Sequence, residues 1–218
     1  MSGDGQGPGR LPVITAIAPD PRRAGAVRIE VDRAPFAAVP QDLVATERLA
    51  PGRELDDGLR GRIGLEAEIE GAFRTVLRAL ERRSFARADL GRRLRRKGHA
   101  PEAVDRALER AAEMRLLDDG AFAVNYVETR SGRGRGPLRL TRDLLAMGVD
   151  RRLIERALAA HAADGVDRAG LPLSLATKRA AQLGDLPREV KRRRVLAYLA
   201  RRGFAGHEVG EIVRKVVG

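Results

Sequence analysis

The chain contains no cysteine and no tryptophan, and only two tyrosines and five phenylalanines. Without cysteine there is no disulfide framework and no thiolate metal site. With aromatics at 3%, stacking on unpaired bases is not expected to dominate binding, and the interior is expected to be mainly Leu, Val, Ile and Ala. No run of 18 consecutive apolar residues occurs, so no membrane-spanning helix is expected. The start lacks the charged-then-apolar order of a signal peptide, and the expectation is a soluble protein of the cytoplasm. Acids are in deficit: 30 Asp and Glu face 42 Lys and Arg, a net charge of +12. An excess of that size points to a polyanionic partner, either nucleic acid or the acidic surface of a nucleoprotein.

What the chain does have is internal repetition. Leu90, Leu94, Gly98, Val104 and Leu108 are matched by Leu140, Leu144, Gly148, Ile154 and Leu158, and again by Val195, Leu199, Gly203, Val209 and Val213. The spacing inside each set is the same, and the sets begin 50 and 55 residues apart. Residues four apart share a helix face, and a glycine between two such faces permits the left-handed turn that brings them together. Each copy therefore reads as a small unit of helices with a thin core that gains from stacking on its neighbours. The expected fold is mainly α: tandem three-helix repeats in an elongated array, preceded by a small N-terminal β element.

Residues 1–11 are Gly-rich and read as a flexible tail. Residues 12–64 form the β element and a linker. Within them, Val13–Ile17 is a strand, Val27, Ile29 and Val31 alternate with charges as a half-buried strand does, and Pro35–Val39 is limited to an edge by its prolines. A short helix is expected at 41–47 and a loop at 49–58. Helical repeats are expected at 65–117, 118–163 and 171–218. The first opens with Leu65, Ile69, Phe73, Val76, Leu77 and Leu80 at three- and four-residue steps. Ser84 stands as the N-cap of its second helix. Pro101 and Pro187 suit helix starts, and a polar break separates the last two repeats at 164–170.

The candidate binding residues are the arginine clusters. Residues 82–97 carry eight basic side chains and one acid, Asp89. At 100° per residue, Arg92, Arg93, Arg95 and Arg96, followed by Lys97, fan out opposite Leu90 and Leu94. The third copy carries Lys191, Arg192, Arg193 and Arg194, then Arg201 and Arg202. The middle copy is weaker, with Arg133 and Arg135 in a glycine-rich connector where they are free to reach a partner, and Arg139, Arg142, Arg151 and Arg152 beyond it. Basic faces in successive copies point to phosphate or acidic-partner contacts. If the helix after Gly98 entered a major groove, it would present His99, Glu102, Asp105, Arg106 and Glu109, a rather acidic set, so a structural helix hairpin is expected instead.

Other chemistry is not in view. Asp118-Asp119 is better explained by helix capping, with Asp119 just before the helix start, than by paired-carboxylate catalysis. The stretch at 130–136 lacks the Gly-Lys-Ser/Thr of a nucleotide-binding loop. His99, His161 and His207 lack metal-ligand spacing. No catalytic residue, metal site or cofactor is expected, and the chain reads as a non-enzyme.

Leu77-Arg78…Ser84…Leu94…Lys97-Gly98, followed by Leu116-Leu117-Asp118-Asp119-Gly120-Ala121-Phe122-Ala123…Tyr126-Val127…Arg130, resembles the bacterial RecX family. Gly136…Arg139-Leu140…Asp143-Leu144…Gly148-Val149 continues the likeness, although Ala146-Met147 stand where the family commonly has a basic residue. The resemblance implies three tandem three-helix repeats without a catalytic centre. It further implies a regulator, commonly an inhibitor, of the RecA recombinase. Such a protein acts in recombinational DNA repair and the SOS response, as a monomer lying along the groove of the RecA–DNA filament and modulating its ATPase and strand exchange. The other reading is a stand-alone DNA-binding protein with helix-turn-helix-like repeats that holds single- or double-stranded DNA weakly and without sequence preference.

Overall fold

A computed structural model describes residues 10–163 and 170–218. Most of the expected tail, and all of the polar break at 164–170 but Gly170, lie outside the described residues. The chain divides into two compact units: the described residues up to Arg83 together with Gly91–Leu116, and Ser84–Leu90 together with Leu117–Gly218.

In the first unit, β1 (Ile14–Pro19), β2 (Ala26–Val31) and β3 (Ala34–Pro40) form an antiparallel sheet in that order. The proline-bounded strand β3 is at an edge, as its missing N–H donors require. Asp32 and Arg33 link β2 to β3 with φ of 49° and 65°, the pair of positive angles that a tight hairpin turn needs. Ile14, Val27, Ile29 and Val39 bury one side of the sheet against Leu49, Leu55, Leu59 and Ile63. After the short helix α1 (Gln41–Thr46), the long helix α2 (Asp57–Leu80) packs on β3 and on α4 (Pro101–Glu113).

Helix α2 starts eight residues earlier than its apolar steps predict. Gly58, Gly61 and Gly64 weaken the local signal, since each glycine costs about 1 kcal/mol in a helix. The Asp56 side chain accepts from Leu59 N (2.6 Å), and Leu59 and Ile63 are buried against the sheet, so capping and packing outweigh the propensity.

Helix α3 (Arg87–Arg96) is cut by the division between units. The second unit then continues with α5 (Asp119–Ser131), α6 (Pro137–Met147), α7 (Arg151–Ala163), α8 (Gly170–Ala181), α9 (Arg188–Arg202) and α10 (His207–Val217). Phe122, Val127, Leu140, Leu144, Val149 and Ile154 make one core. Ala176, Leu183, Val195, Leu199, Phe204, Val209 and Val213 make the next.

The repeated pattern corresponds to a repeated piece of backbone. Gly98, Gly148 and Gly203 have φ of 90°, 85° and 91°. In each copy the glycine N–H donates three residues back, to Arg95, Leu145 or Ala200, and the next residue donates five back, to Leu94, Leu144 or Leu199. This is a Schellman helix ending. Val149 and Phe204, just past the glycine, are buried with the core beside the leucine that accepts their N–H bond. Pro101 and Pro137 occupy first helical positions, where a missing N–H costs nothing.

The acid pair is divided between two helices. Asp118, not Asp119, is the N-cap of α5, accepting from Ala121 N (2.9 Å). Asp119 lies in the first turn of α5, and its Oδ1 accepts from Arg87 N (2.7 Å), the first helical residue of α3. The role expected of Ser84 changes accordingly: α3 begins three residues later, with its first amide capped from α5.

Candidate polyanion-binding surfaces

On α3, burial of Leu90 and Leu94 turns Arg92, Arg93, Arg95 and Arg96 outward, and these four and Lys97 are exposed. Four of the five lie in the last turn or just past it, where the helix dipole favours cations. Arg95 pairs with Asp105 of α4 at 2.6 Å, with both side chains exposed. A pair of that kind contributes about 0–1 kcal/mol and exchanges readily for a phosphate. Near it, the ring of His99 is bonded to Thr75 Oγ1 (3.0 Å), and α4 shows Glu102, Asp105 and Glu109 to solvent beside Arg106. That helix is a poor reader of base edges, whose acceptors call for cationic donors.

The middle copy, expected to be weaker, lacks the basic face of the first. The residues corresponding to Arg92, Arg93, Arg95, Arg96 and Lys97 are Arg142, Asp143, Leu145, Ala146 and Met147. The outer face of α6 is thus largely apolar, with Leu138 60% and Leu145 39% exposed. In the third copy the same places hold Ala197, Tyr198, Ala200, Arg201 and Arg202, and Lys191–Arg194 precede them. One repeated basic face is therefore absent; the cations lie at different places in each copy.

The connector at 132–136 is held by its backbone. Arg133 N and Arg135 N donate to Arg130 O (3.2 and 3.1 Å), and Gly134 N donates to Ser131 O (2.8 Å). Arg133 is exposed. Arg135, expected to be free, is half-buried: it donates to Asp143 Oδ2 (2.6 Å) and to the Tyr126 hydroxyl (2.9 Å). Asp143 also takes Arg139 Nε at 3.0 Å. The i,i+4 spacing of Arg139 and Asp143 is the local signal that could have found their pair. The Tyr126 and Arg135 contacts depend on the fold.

On α9, Arg193, Arg194 and Arg201 are exposed, and Lys191 and Arg192 are half-buried. Arg202 turns inward, donating to Gly134 O (3.3 Å) and lying 4.8 Å from the centre of the Tyr198 ring. Its own carbonyl accepts from Gly136 N (2.7 Å), and Gly203 O accepts from Leu138 N (3.1 Å). The second and third copies are thus joined by main-chain bonds at two glycines. A Cβ on Gly136 would sit 2.6 Å from the Gly203 carbonyl, and one on Gly203 would collide with the Arg139 backbone.

Among the described residues, no group of three or more His, Cys, Asp or Glu is arranged to hold a metal ion, and no helix is long and apolar enough to cross a membrane.

These elements define a helical-repeat protein with a small N-terminal sheet and unevenly placed surface cations. The family model described as "RecX, second three-helix domain" matches residues 118–158. A regulatory protein RecX from Xanthomonas axonopodis pv. citri is 36% identical over 141 residues, covering 64% of this chain and 83% of the relative. The chain belongs to the RecX family of regulatory proteins. A regulatory protein RecX from Geobacillus kaustophilus is 33% identical over 172 residues, 78% of this chain, and the match spans 63% of that protein's length. In fold, the chain is similar to a crystal structure of regulatory protein RecX, with a TM-score of 0.77 and 24% identity, covering 94% of this chain and all of that one. It is also similar to RecX from Lactobacillus salivarius, with a TM-score of 0.60 and 20% identity, covering 68% and 96%.

Proposed function

We propose that this chain is a non-enzymatic regulator of the RecA recombinase that binds along the RecA–DNA filament and inhibits its ATPase and strand exchange during recombinational repair. The observation that carries the reading is the exposed cation cluster Arg92–Lys97 on a helical-repeat scaffold of the RecX family, in a chain of net charge +12. A filament offers phosphates and protein surface at regular intervals. Several weak contacts on one chain add through effective concentration, so binding along the filament can exceed binding to either component. The proposed setting is the cytoplasm, and the proposed acting form is a monomer spanning adjacent RecA protomers.

The test is co-sedimentation of the full chain with RecA filaments and with DNA alone, alongside RecA's DNA-dependent ATPase and strand exchange. Preferential sedimentation with filaments and a dose-dependent fall in both activities are expected. Unchanged activities at saturating protein and low salt would overturn the proposal.

The second reading, a DNA-binding protein acting alone, draws on the same exposed arginines. It predicts equal binding to bare DNA and filaments, with log K falling by about 0.9 per phosphate contact as log salt rises on duplex.

A further inference from the structure

Where α6 meets α9, five arginines converge on one cavity. Its volume is about 340 Å³, and its wall includes Arg133, Arg135, Arg139, Arg201, Arg202 and Tyr198. Among the described residues no carboxylate lines it; Asp143 is bonded to Arg135 and Arg139 (2.6 and 3.0 Å). Five like charges around one space repel each other, and one acid offsets only part of that charge.

We infer that this cavity is a phosphate-binding site, taking the backbone phosphates of nucleic acid. The inference rests on the polyanion reading above and assigns that role to a specific place. Guanidinium forks pair with carboxylate and phosphate oxygens alike, but the additional oxygens of a phosphate let it receive several forks at once, which favours it over a single carboxylate. Bases are the wrong occupant: Arg202 and Arg179 lie 4.8 and 5.8 Å from the centre of the Tyr198 ring, where a base would have to stack. The start of α6 does not supply the donors either, because Leu138 N and Arg139 N are used by Gly203 O and Gly136 O. Side chains must do the binding.

The cavity is built in advance. Asp143 fixes Arg135 and Arg139, and Gly134 O and the Tyr198 ring fix Arg202. Gly134 has φ of +80°, and a Cβ there would sit 2.6 Å from Arg202 Nη1, so glycine gives that guanidinium its place. Arg133 and Arg201 are exposed and complete the wall from the solvent side. The site holds its inner donors still and leaves two arginines to close on the anion, which limits the ordering cost of binding.

The test uses the full chain and a fluorescein-labelled oligo-dT, followed by anisotropy at several salt concentrations. Replacing both outer arginines (Arg133→Gln with Arg201→Gln) is expected to weaken binding about five- to twenty-fold at low salt. The log–log salt slope should fall by about 1.4, two contacts at ~0.7 each on a single strand. Removing the same charge from the β2–β3 hairpin (Arg28→Gln with Arg33→Gln) is expected to change affinity less than two-fold. Circular dichroism melting of both variants checks the fold. Unchanged affinity and slope in the first variant, or an equal loss in the hairpin variant, overturns the inference.

Competition by inorganic phosphate at constant ionic strength reads the source. Displacement in the parent chain that the outer-arginine variant lacks supports free phosphate as an occupant; weakened oligonucleotide binding without it supports backbone phosphate. The two proposals fail separately. If the parent chain inhibits RecA while the variant binds DNA as the parent does, the cavity falls and the regulatory reading stands. If the variant loses DNA while the parent leaves RecA untouched, the cavity stands and regulation falls.

Discussion

Gly98 and Gly203 hold the same place in the repeat and nearly the same φ, yet they differ in surroundings. A Cβ on Gly98 would meet open space, and one on Gly203 would strike Arg139. Gly98→Ala is therefore expected to cost only the left-handed conformation, about 1–2 kcal/mol. Gly203→Ala adds a backbone collision and should cost more than that, about 3 kcal/mol or beyond. Urea unfolding of the two variants measures the difference, and equal losses would show that the second and third copies are not held together at this glycine. At this scale the sequence was informative about identity and uninformative about partnership. The pattern leucines and glycines were legible because their spacing is local. Arg202 was read as a surface cation because Gly134, which accepts its bond, is 68 residues away. Arg135 reads as free in the sequence for a related reason: nothing local reveals that Tyr126 and Asp143 converge on it.

Among elements, the informative device is the split acid pair. Asp118 caps the helix it precedes, and Asp119 caps α3 across space, so each carboxylate serves a different helix start. Asp118→Ala and Asp119→Ala are each expected to cost about 1 kcal/mol, the usual loss for a removed N-cap. Denaturant midpoints check this, and hydrogen exchange separates the two. The first variant should loosen amides at the start of α5, and the second should loosen those at the start of α3. The capping role was legible in the sequence, but its assignment was not, since the order of two adjacent aspartates does not say which amide each faces. The early start of α2 escaped for a similar reason, because burial of Leu59 and Ile63 is a tertiary fact. A second pair acts on α2 itself. Arg62 grips Glu47 with two bonds (2.9 and 3.0 Å), and hydrogen bonding from that guanidinium holds the Glu47 carboxyl below its ordinary range. A lowered folded-state value means stabilisation that is present above the unfolded-state value and lost as pH falls through the folded one. Glu47→Gln should therefore lower the urea midpoint slightly at pH 7 and leave it unchanged at strongly acidic pH. Both side chains are solvent-accessible, so added salt should shrink the pH 7 difference.

For the whole molecule, the governing quantity is charge and how it is screened. A net +12 draws the chain to any polyanion at low salt, so affinity measured there says little about the partner. Reversing Arg92, Arg93, Arg95 and Arg96 to Glu should weaken binding to both bare DNA and RecA filaments by at least ten-fold, read by co-sedimentation. Retained binding to both would remove the α3 cluster from the interface. As salt rises, filament binding by the unaltered chain should fall less steeply than binding to bare DNA. Equal slopes would favour the DNA-only reading. The sign and size of the charge were legible from composition. Its distribution was legible in part: the middle copy reads as weaker from the sequence, but the inward turn of Arg135 and Arg202 depends on the fold.

The seam at Gly136 and Gly203 has one further consequence. Its hydrogen bonds run from main chain to main chain, so Gly136 and Leu138 should exchange their amide protons as slowly as Leu144 inside the neighbouring core, a point that hydrogen-exchange mass spectrometry or NMR can check. A joint made this way rests on two glycines and not on the charged side chains around it. Substitution can rewrite the charges around it over evolutionary time while these two helix triplets keep their mutual pose. New recognition can then be tried on the surface without redrawing the frame that presents it.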